Sequence, residues 1–199
     1  MNSIEDRSRP GGRSARVRSS VFEAVLHALV TDGFEGLKIR DIAMRAGVNE
    51  TSIYRRWGTR ESLLCDVLIA HSEKCIPMPD TGGVRGDLTA LANAIASYLD
   101  TPLGGALIRV LAVAVDDAVV ARAREAFWRA RYEAASVIIT RAIARGELPE
   151  STNTQLVLEA LIAPLHFRTL LTRRSLDRSL PEQLVNLVLN GVHVAVVKT

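Results

Sequence analysis

The chain has 199 residues, 48% hydrophobic and 24% charged with 5% aromatic, enough for one domain or two small ones with a buried core. Its longest uninterrupted apolar run covers residues 110–115, far short of a membrane span. The polar, Arg-rich start does not read as a secretory leader, so a cytoplasmic protein with no membrane partner is expected. Cys65 and Cys75 are too few for a disulfide framework.

The net charge of +3 is uneven, because residues 1–60 hold 11 Lys/Arg against 7 Asp/Glu. The excess is sharpest at Arg7, Arg9, Arg13, Arg16 and Arg18. Such a cluster suits a polyanion partner, since Lys and Arg release the counterions condensed on phosphates. A solvated tail would show the same charges, and Pro10-Gly11-Gly12 fits either reading.

Ala, Leu, Val and Arg abound, no segment alternates as a strand would, and an all-α chain of about nine helices is expected. Residues 1–12 read as a flexible basic arm. Phe22, Val25, Leu26 and Leu29 then recur at helical spacing until Gly33. Two short helices follow, near residues 39–46 and 50–57, hinged at Gly47-Val48-Asn49. Thr59 is placed to cap a longer helix carrying Leu63, Leu64, Val67 and Leu68, which fades at Pro77-Met78-Pro79.

Beyond Gly82-Gly83, residues 88–99 are amphipathic and residues 103–115 almost wholly apolar. Asp116-Asp117 is placed to cap a long helix reaching residue 145, closed by Gly146 and Pro149. A helix over residues 151–174 contains Pro164, which should kink it. Pro181 suits the first turn of a final helix through residue 197.

The hinge region is the most informative. Ile39, Ile42 and Ala46 make one apolar face, and Ala43 is small where a second helix crosses. Gly47 suits a left-handed closure, Val48 plugs the corner and Asn49 is a good N-cap. Ile53 and Trp57, four apart, turn inward and leave Glu50, Thr51, Ser52, Tyr54, Arg55 and Arg56 on the other face. Hydroxyls, Tyr and Arg at a helix N-terminus suit a helix entering a major groove. An ordinary helical hairpin would also carry a polar face.

The ordered set Gly33-Phe34, Ile39-Arg40-Asp41-Ile42-Ala43, Ala46-Gly47-Val48, Ile53-Tyr54-Arg55-Arg56-Trp57 and Arg60-Glu61-Ser62-Leu63-Leu64 resembles the DNA-binding domain of TetR-family transcriptional regulators. The likeness covers about a quarter of the chain. It implies a helix-turn-helix domain over residues 13–60 and a helical effector-binding and dimerisation domain over residues 61–199. It also implies a homodimeric repressor that leaves double-stranded DNA when a small molecule binds. By position, Thr51, Ser52, Tyr54 and Arg55 would face DNA, with Arg60 on a phosphate. Lys38 replaces the family's usual hydroxyl cap and gains a possible phosphate contact; Arg40 and Asn49 complete the expected DNA set. The Arg-rich arm would enter a minor groove.

For the effector half, Leu184, Leu187, Val188, Gly191, Val192 and Ala195 form one stripe, and Leu158, Leu161, Ile162, Leu165 and Leu170 another. Such stripes fill a core or join two copies; with the resemblance they imply a four-helix bundle across a two-fold axis and an inverted-repeat operator. Phe127, Trp128, Tyr132 and Phe167, with His71, Arg109 and His166 as polar handles, are candidate contacts for a small hydrophobic effector. Coupling would run through the helix of residues 59–76.

Catalysis is not expected. His27, His71, His166 and His193 form no zinc pair, and no nucleophile elbow, Walker loop or dinucleotide fingerprint occurs, so neither metal nor cofactor is implied. Two alternatives are a protein-interaction module and a thiol redox sensor. Cys65 and Cys75 would lie about 15 Å apart along one helix, too far for a bridge within it.

Overall fold

The computed structural model describes residues 10–33, 36–113 and 118–196. They form nine α-helices and one π-helical turn, and no strand occurs among the described residues. The chain divides into two compact units, the first ending at Val67 and the second beginning at Leu68.

The first unit comprises α1 (Pro10–Thr31), α2 (Ile39–Ala46), α3 (Glu50–Trp57) and the opening turns of α4 (Arg60–Cys75). Helix α1 includes Pro10, Gly11 and Gly12, so three residues expected in the arm are helical. Proline suits a first helical position because its missing N–H would have had no intrahelical acceptor there. Residues 1–9, the rest of that arm with Arg7 and Arg9, lie outside the described residues. The core joins Val21, Val25 and Leu29 of α1 to Leu37, Ile39, Ile42 and Ala43, and to Ile53, Leu63 and Val67. Each large side chain so buried contributes about 1.5–3 kcal/mol of transfer free energy.

Local chemistry sets the corners. Gly47 is left-handed at φ 65° and ψ 34°. Its N–H donates to the Met44 carbonyl at 3.3 Å, and that of Val48 to the Ala43 carbonyl at 3.0 Å, a Schellman closure that occupies the last carbonyls of α2. Asn49 Oδ1 accepts the Thr51 N–H at 3.1 Å and opens α3. Thr59 Oγ1 accepts the Ser62 N–H at 3.1 Å and opens α4, as its position in the sequence suggests.

In the second unit, α5 (Val84–Leu99) packs against α6 (Pro102–Val113), α7 (Ala118–Ala144), α8 (Thr154–Phe167) and α9 (Leu180–Val196). Leu88, Leu91, Ile138, Ile139, Leu158, Leu161, Leu165 and Val185 are its fully buried centre. A Cβ on Gly104 would come within 2.0 Å of the Tyr98 carbonyl oxygen, so glycine permits the tight α5–α6 junction. The expected capping pair Asp116-Asp117 lies outside the described residues. Helix α8 begins at an Asn153 cap, its Oδ1 accepting the Leu156 N–H at 3.0 Å. It runs past Pro164 to Phe167, then widens into the π-helical turn Arg168–Thr172. The α-helix therefore stops seven residues before the expected end, and Arg173 closes the turn at φ 50°.

Asp87 is fully buried in the first turn of α5. Its Oδ1 accepts the Thr81 N–H at 2.6 Å and the Thr81 hydroxyl at 2.8 Å. Its Oδ2 lies 3.7 Å from Arg141 and 3.8 Å from Arg145 of α7. Removing Asp87 leaves the Thr81 N–H and hydroxyl without their acceptor, whereas Arg141 and Arg145 are partly exposed and keep Asp80 and Glu147. Asp87→Ala is therefore expected to lower the unfolding free energy by about 2 kcal/mol through the lost hydrogen bonds, measured by urea denaturation; a loss below about 0.5 kcal/mol would contradict this role.

Candidate nucleic-acid interface and effector cavity

The exposed face of α3 follows from what its other face buries. Ile53 and Trp57 are buried, and Trp57 Nε1–H donates to Asp66 Oδ2 of α4 at 3.0 Å. Phe22 of α1 packs against the Trp57 ring with centroids 6.2 Å apart. Thr51, Tyr54 and Arg55, at i, i+3 and i+4, stand on the exposed side, and Ser52 is half-buried. The N-terminal end of a helix favours anions through its unpaired N–H groups and dipole.

The other expected DNA residues divide into two sets. Lys38 and Arg40 are exposed at the start of α2, and Lys38 makes no side-chain cap. Asn49 is exposed, but its carboxamide oxygen is taken by Thr51. Arg60 is turned toward its own unit, Nη1 donating to the Leu37 carbonyl at 3.4 Å and Nε pairing with Glu61 at 3.2 Å. In this conformation it braces the start of α4 rather than presenting its charge outward. Arg56 likewise donates to Ser14 of α1 at 3.0 Å. Met44 of α2, 77% exposed, is an apolar side chain that periodicity did not single out.

The second unit holds a cavity of about 60 Å³ lined by residues from the end of α4 through α8. Phe127, Trp128, Tyr132 and His166 line it as expected. Trp128 sits edge-on to Phe127 and to His166, at 5.2 and 5.5 Å between centroids. Three expected contacts are elsewhere. His71 stacks on Tyr98 at 5.7 Å outside the lining, Arg109 is exposed and Phe167 is 53% exposed. Ser72, Tyr98 and Arg131 supply polar groups that sequence reasoning missed. The signal for Arg131 was its place four residues after Phe127 and three after Trp128, a charge on an otherwise aromatic helix face.

Burial governs the titratable groups here. It pushes the Tyr98 and Tyr132 hydroxyls up and pulls Arg131 down, with Glu73 and Tyr98 opposing the shift at Arg131. His166 is also pulled down by burial, while its Nδ1–H donates to the Ile162 carbonyl at 3.1 Å. On α4, burial and then Asp66 push the Cys65 thiol up, away from the reactive thiolate a redox sensor needs. Cys75 Sγ lies 3.7 Å from His71 Nε2.

The expected dimer residues divide by exposure. Leu158, Leu161, Leu165 and Leu184 are buried within their own unit. Helical periodicity identifies an apolar face but not what covers it, and α5 and α7 cover this one. Val188, as buried as Leu184, lies at the floor of an α8–α9 groove, while Gly191 is exposed and Val192 half-buried along it. The Ala195 side chain lies outside the described residues. The outward residues are Leu156 at 60% and Leu187 at 70% exposure, both lining that groove.

Two family models match this chain: bacterial regulatory proteins of the tetR family over residues 22–67, and the tetracyclin repressor-like C-terminal domain over residues 78–188. The chain belongs to the TetR family. It is 38% identical to the HTH-type transcriptional regulator AqdR of Rhodococcus erythropolis, covering 90% of this chain and 86% of that one. It is 30% identical to the DNA-binding transcriptional repressor TetR of Mycobacteroides abscessus, covering 76% and 81%. The crystal structure of the TetR-family regulator SCO0332 superposes with a TM-score of 0.75 at 29% identity, over 89% of this chain and 98% of that one. The protein is thus a TetR-family helix-turn-helix transcriptional regulator, and TetR-family regulators bind DNA as dimers. Its relatives are named as regulators rather than enzymes, and no described helix is long and apolar enough to cross a membrane.

The depressed pKa of His166 has a consequence for stability. The unfolded chain takes up its proton near the ordinary value of 6.5 and the folded chain only at lower pH. Stability is therefore kept above pH 6.5 and lost as pH falls from there through the folded pKa. The melting temperature should drop more between pH 7.5 and 5 in the wild type than in His166→Gln. Equal drops would contradict a neutral, buried His166.

Proposed function

We propose that this regulator is a cytoplasmic repressor that reads an inverted-repeat operator through α3 and leaves it when a small, largely hydrophobic molecule occupies the second-unit cavity. The outward set Thr51, Tyr54 and Arg55, on a helix anchored by Ile53 and Trp57, carries the DNA reading. Lys38 and Arg40 add phosphate contacts, and Ser52 lies beside the recognition face. The name of the Mycobacteroides abscessus relative supports repression. The apolar lining of the cavity supports a hydrophobic effector.

A second copy covers the outward faces of α8 and α9, at Leu156, Leu187 and Gly191. Two such helices from each copy make a four-helix interface, and the two-fold axis places two copies of α3 on successive DNA turns. Effector coupling runs along α4, which carries Leu68 and Ser72 of the cavity lining and opens at Arg60.

Mobility shift against duplexes selected from a random pool tests the DNA reading. Tyr54→Ala should weaken binding at least tenfold while dimerisation and helical content stay unchanged. Wild-type affinity in that variant would remove α3 as the recognition helix. Leu187→Glu should shift sedimentation from dimer to monomer at micromolar concentration, because it places a charge in an apolar interface. A persistent dimer would move the interface away from α9.

A further inference from the structure

The cavity read as the effector site carries one formal charge among its described lining residues. Arg131 of α7 is the only Lys, Arg, Asp or Glu among them. The aliphatic lining includes Leu91, Ile95, Leu107 and Ile108. Burying a guanidinium against such surfaces is unfavourable unless its charge and its five N–H groups find partners. One Nη2–H donates to the Ile76 carbonyl at 3.0 Å, just beyond the end of α4. Glu73, exposed on α4 and outside the lining, offsets part of the charge.

The remaining polar groups of the lining do not complete the compensation. The Ser72 hydroxyl donates to the Ile69 carbonyl at 2.8 Å. Tyr98 and Tyr132 keep their protons and act as neutral hydroxyls. His166 is committed through Nδ1 to Ile162. The cavity therefore offers a cation and hydroxyl donors inside an apolar shell, with no carboxylate among its described lining residues and Glu73 and Glu159 acting only from outside it.

Resting on the reading of this cavity as the effector site, we propose that the effector is an anionic amphiphile. Its apolar body lies among the aliphatic and aromatic lining, and a single carboxylate, sulfonate or phosphate-type group pairs with Arg131. A cation is rejected by the same arrangement, because nothing on the lining would compensate it. The cavity of about 60 Å³ holds only a few waters as it stands. Trp128, Tyr132 and His166 also line an open groove of about 320 Å³ beside Leu170, so entry proceeds by parting these rings.

The test compares 1-anilinonaphthalene-8-sulfonate with N-phenyl-1-naphthylamine, which shares its ring system without the sulfonate. Binding to the full chain in 150 mM salt is read by probe fluorescence, and location by the indole N–H resonances of Trp57 and Trp128. Both probes should shift the Trp128 signal, with the sulfonate bound about tenfold or more tighter, the size of a charged hydrogen bond. Arg131→Met and Arg131→Gln, prepared in parallel with folding checked by circular dichroism, should reduce that preference to within twofold and leave the neutral probe unaffected. Arg131→Lys should keep part of it, and Arg109→Met, which removes an exposed charge outside the lining, all of it. Equal affinities in the wild type, or a preference that survives neutralisation of Arg131, would overturn the proposal while leaving the cavity as the effector site. No movement of the Trp128 signal with either probe would overturn the effector site itself, and the proposal with it.

Discussion

The face of α3 proposed to read DNA depends on the burial of Ile53 and Trp57, one helical turn apart. Their packing fixes the rotation of a helix of only eight residues, too short to be stable by its own hydrogen bonds. The Trp57 bond to Asp66 ties the end of α3 to α4, and the Schellman closure at Gly47 sets its beginning. Everything that α3 presents outward is decided by these contacts. Arg56 and Arg60 belong to the frame in this conformation, since each donates to groups of its own unit.

The second unit solves a different problem, holding an apolar space open inside a helical core. Helix α5 packs on four others, and its first turn is locked by the buried Asp87 set. The far end of α5 supplies Tyr98 and Leu99 to the cavity, and the Gly104 contact brings α6 against it. The rigid end and the cavity end thus lie on one helix. Arg131 is the one Lys, Arg, Asp or Glu of the described lining, and the proposed effector chemistry rests on that charge.

The helices and the exposed face of α3 were legible in the sequence because they rest on local rules. Gly47, Asn49 and Thr59 act through their own or adjacent turns, and the spacing of Ile53 and Trp57 gives the buried face directly. The cavity was half legible. Phe127, Trp128 and Tyr132 announce a face of α7, but Ser72, Tyr98 and Arg131 come together only when α4, α5 and α7 pack. An apolar stripe looks the same whether its own chain or a second copy covers it, so the sequence did not separate Leu158, Leu161, Leu165 and Leu184, buried in their unit, from the exposed Leu156 and Leu187. The helix does run through Pro164 as expected, but the α-form ends at Phe167 and the π-helical turn Arg168–Thr172 takes the place of the last turns expected up to residue 174.

The account stands most directly on two copies of α3 held at a fixed separation over DNA. Fluorescence anisotropy of the intact regulator on its selected inverted repeat, and on the same repeat with five base pairs inserted at the centre, measures that separation. The account requires affinity to fall at least a hundredfold on insertion, because half a turn carries one half-site to the opposite face of the duplex. Affinity on the uninterrupted repeat should also fall steeply with salt. Equal binding to both duplexes would contradict it.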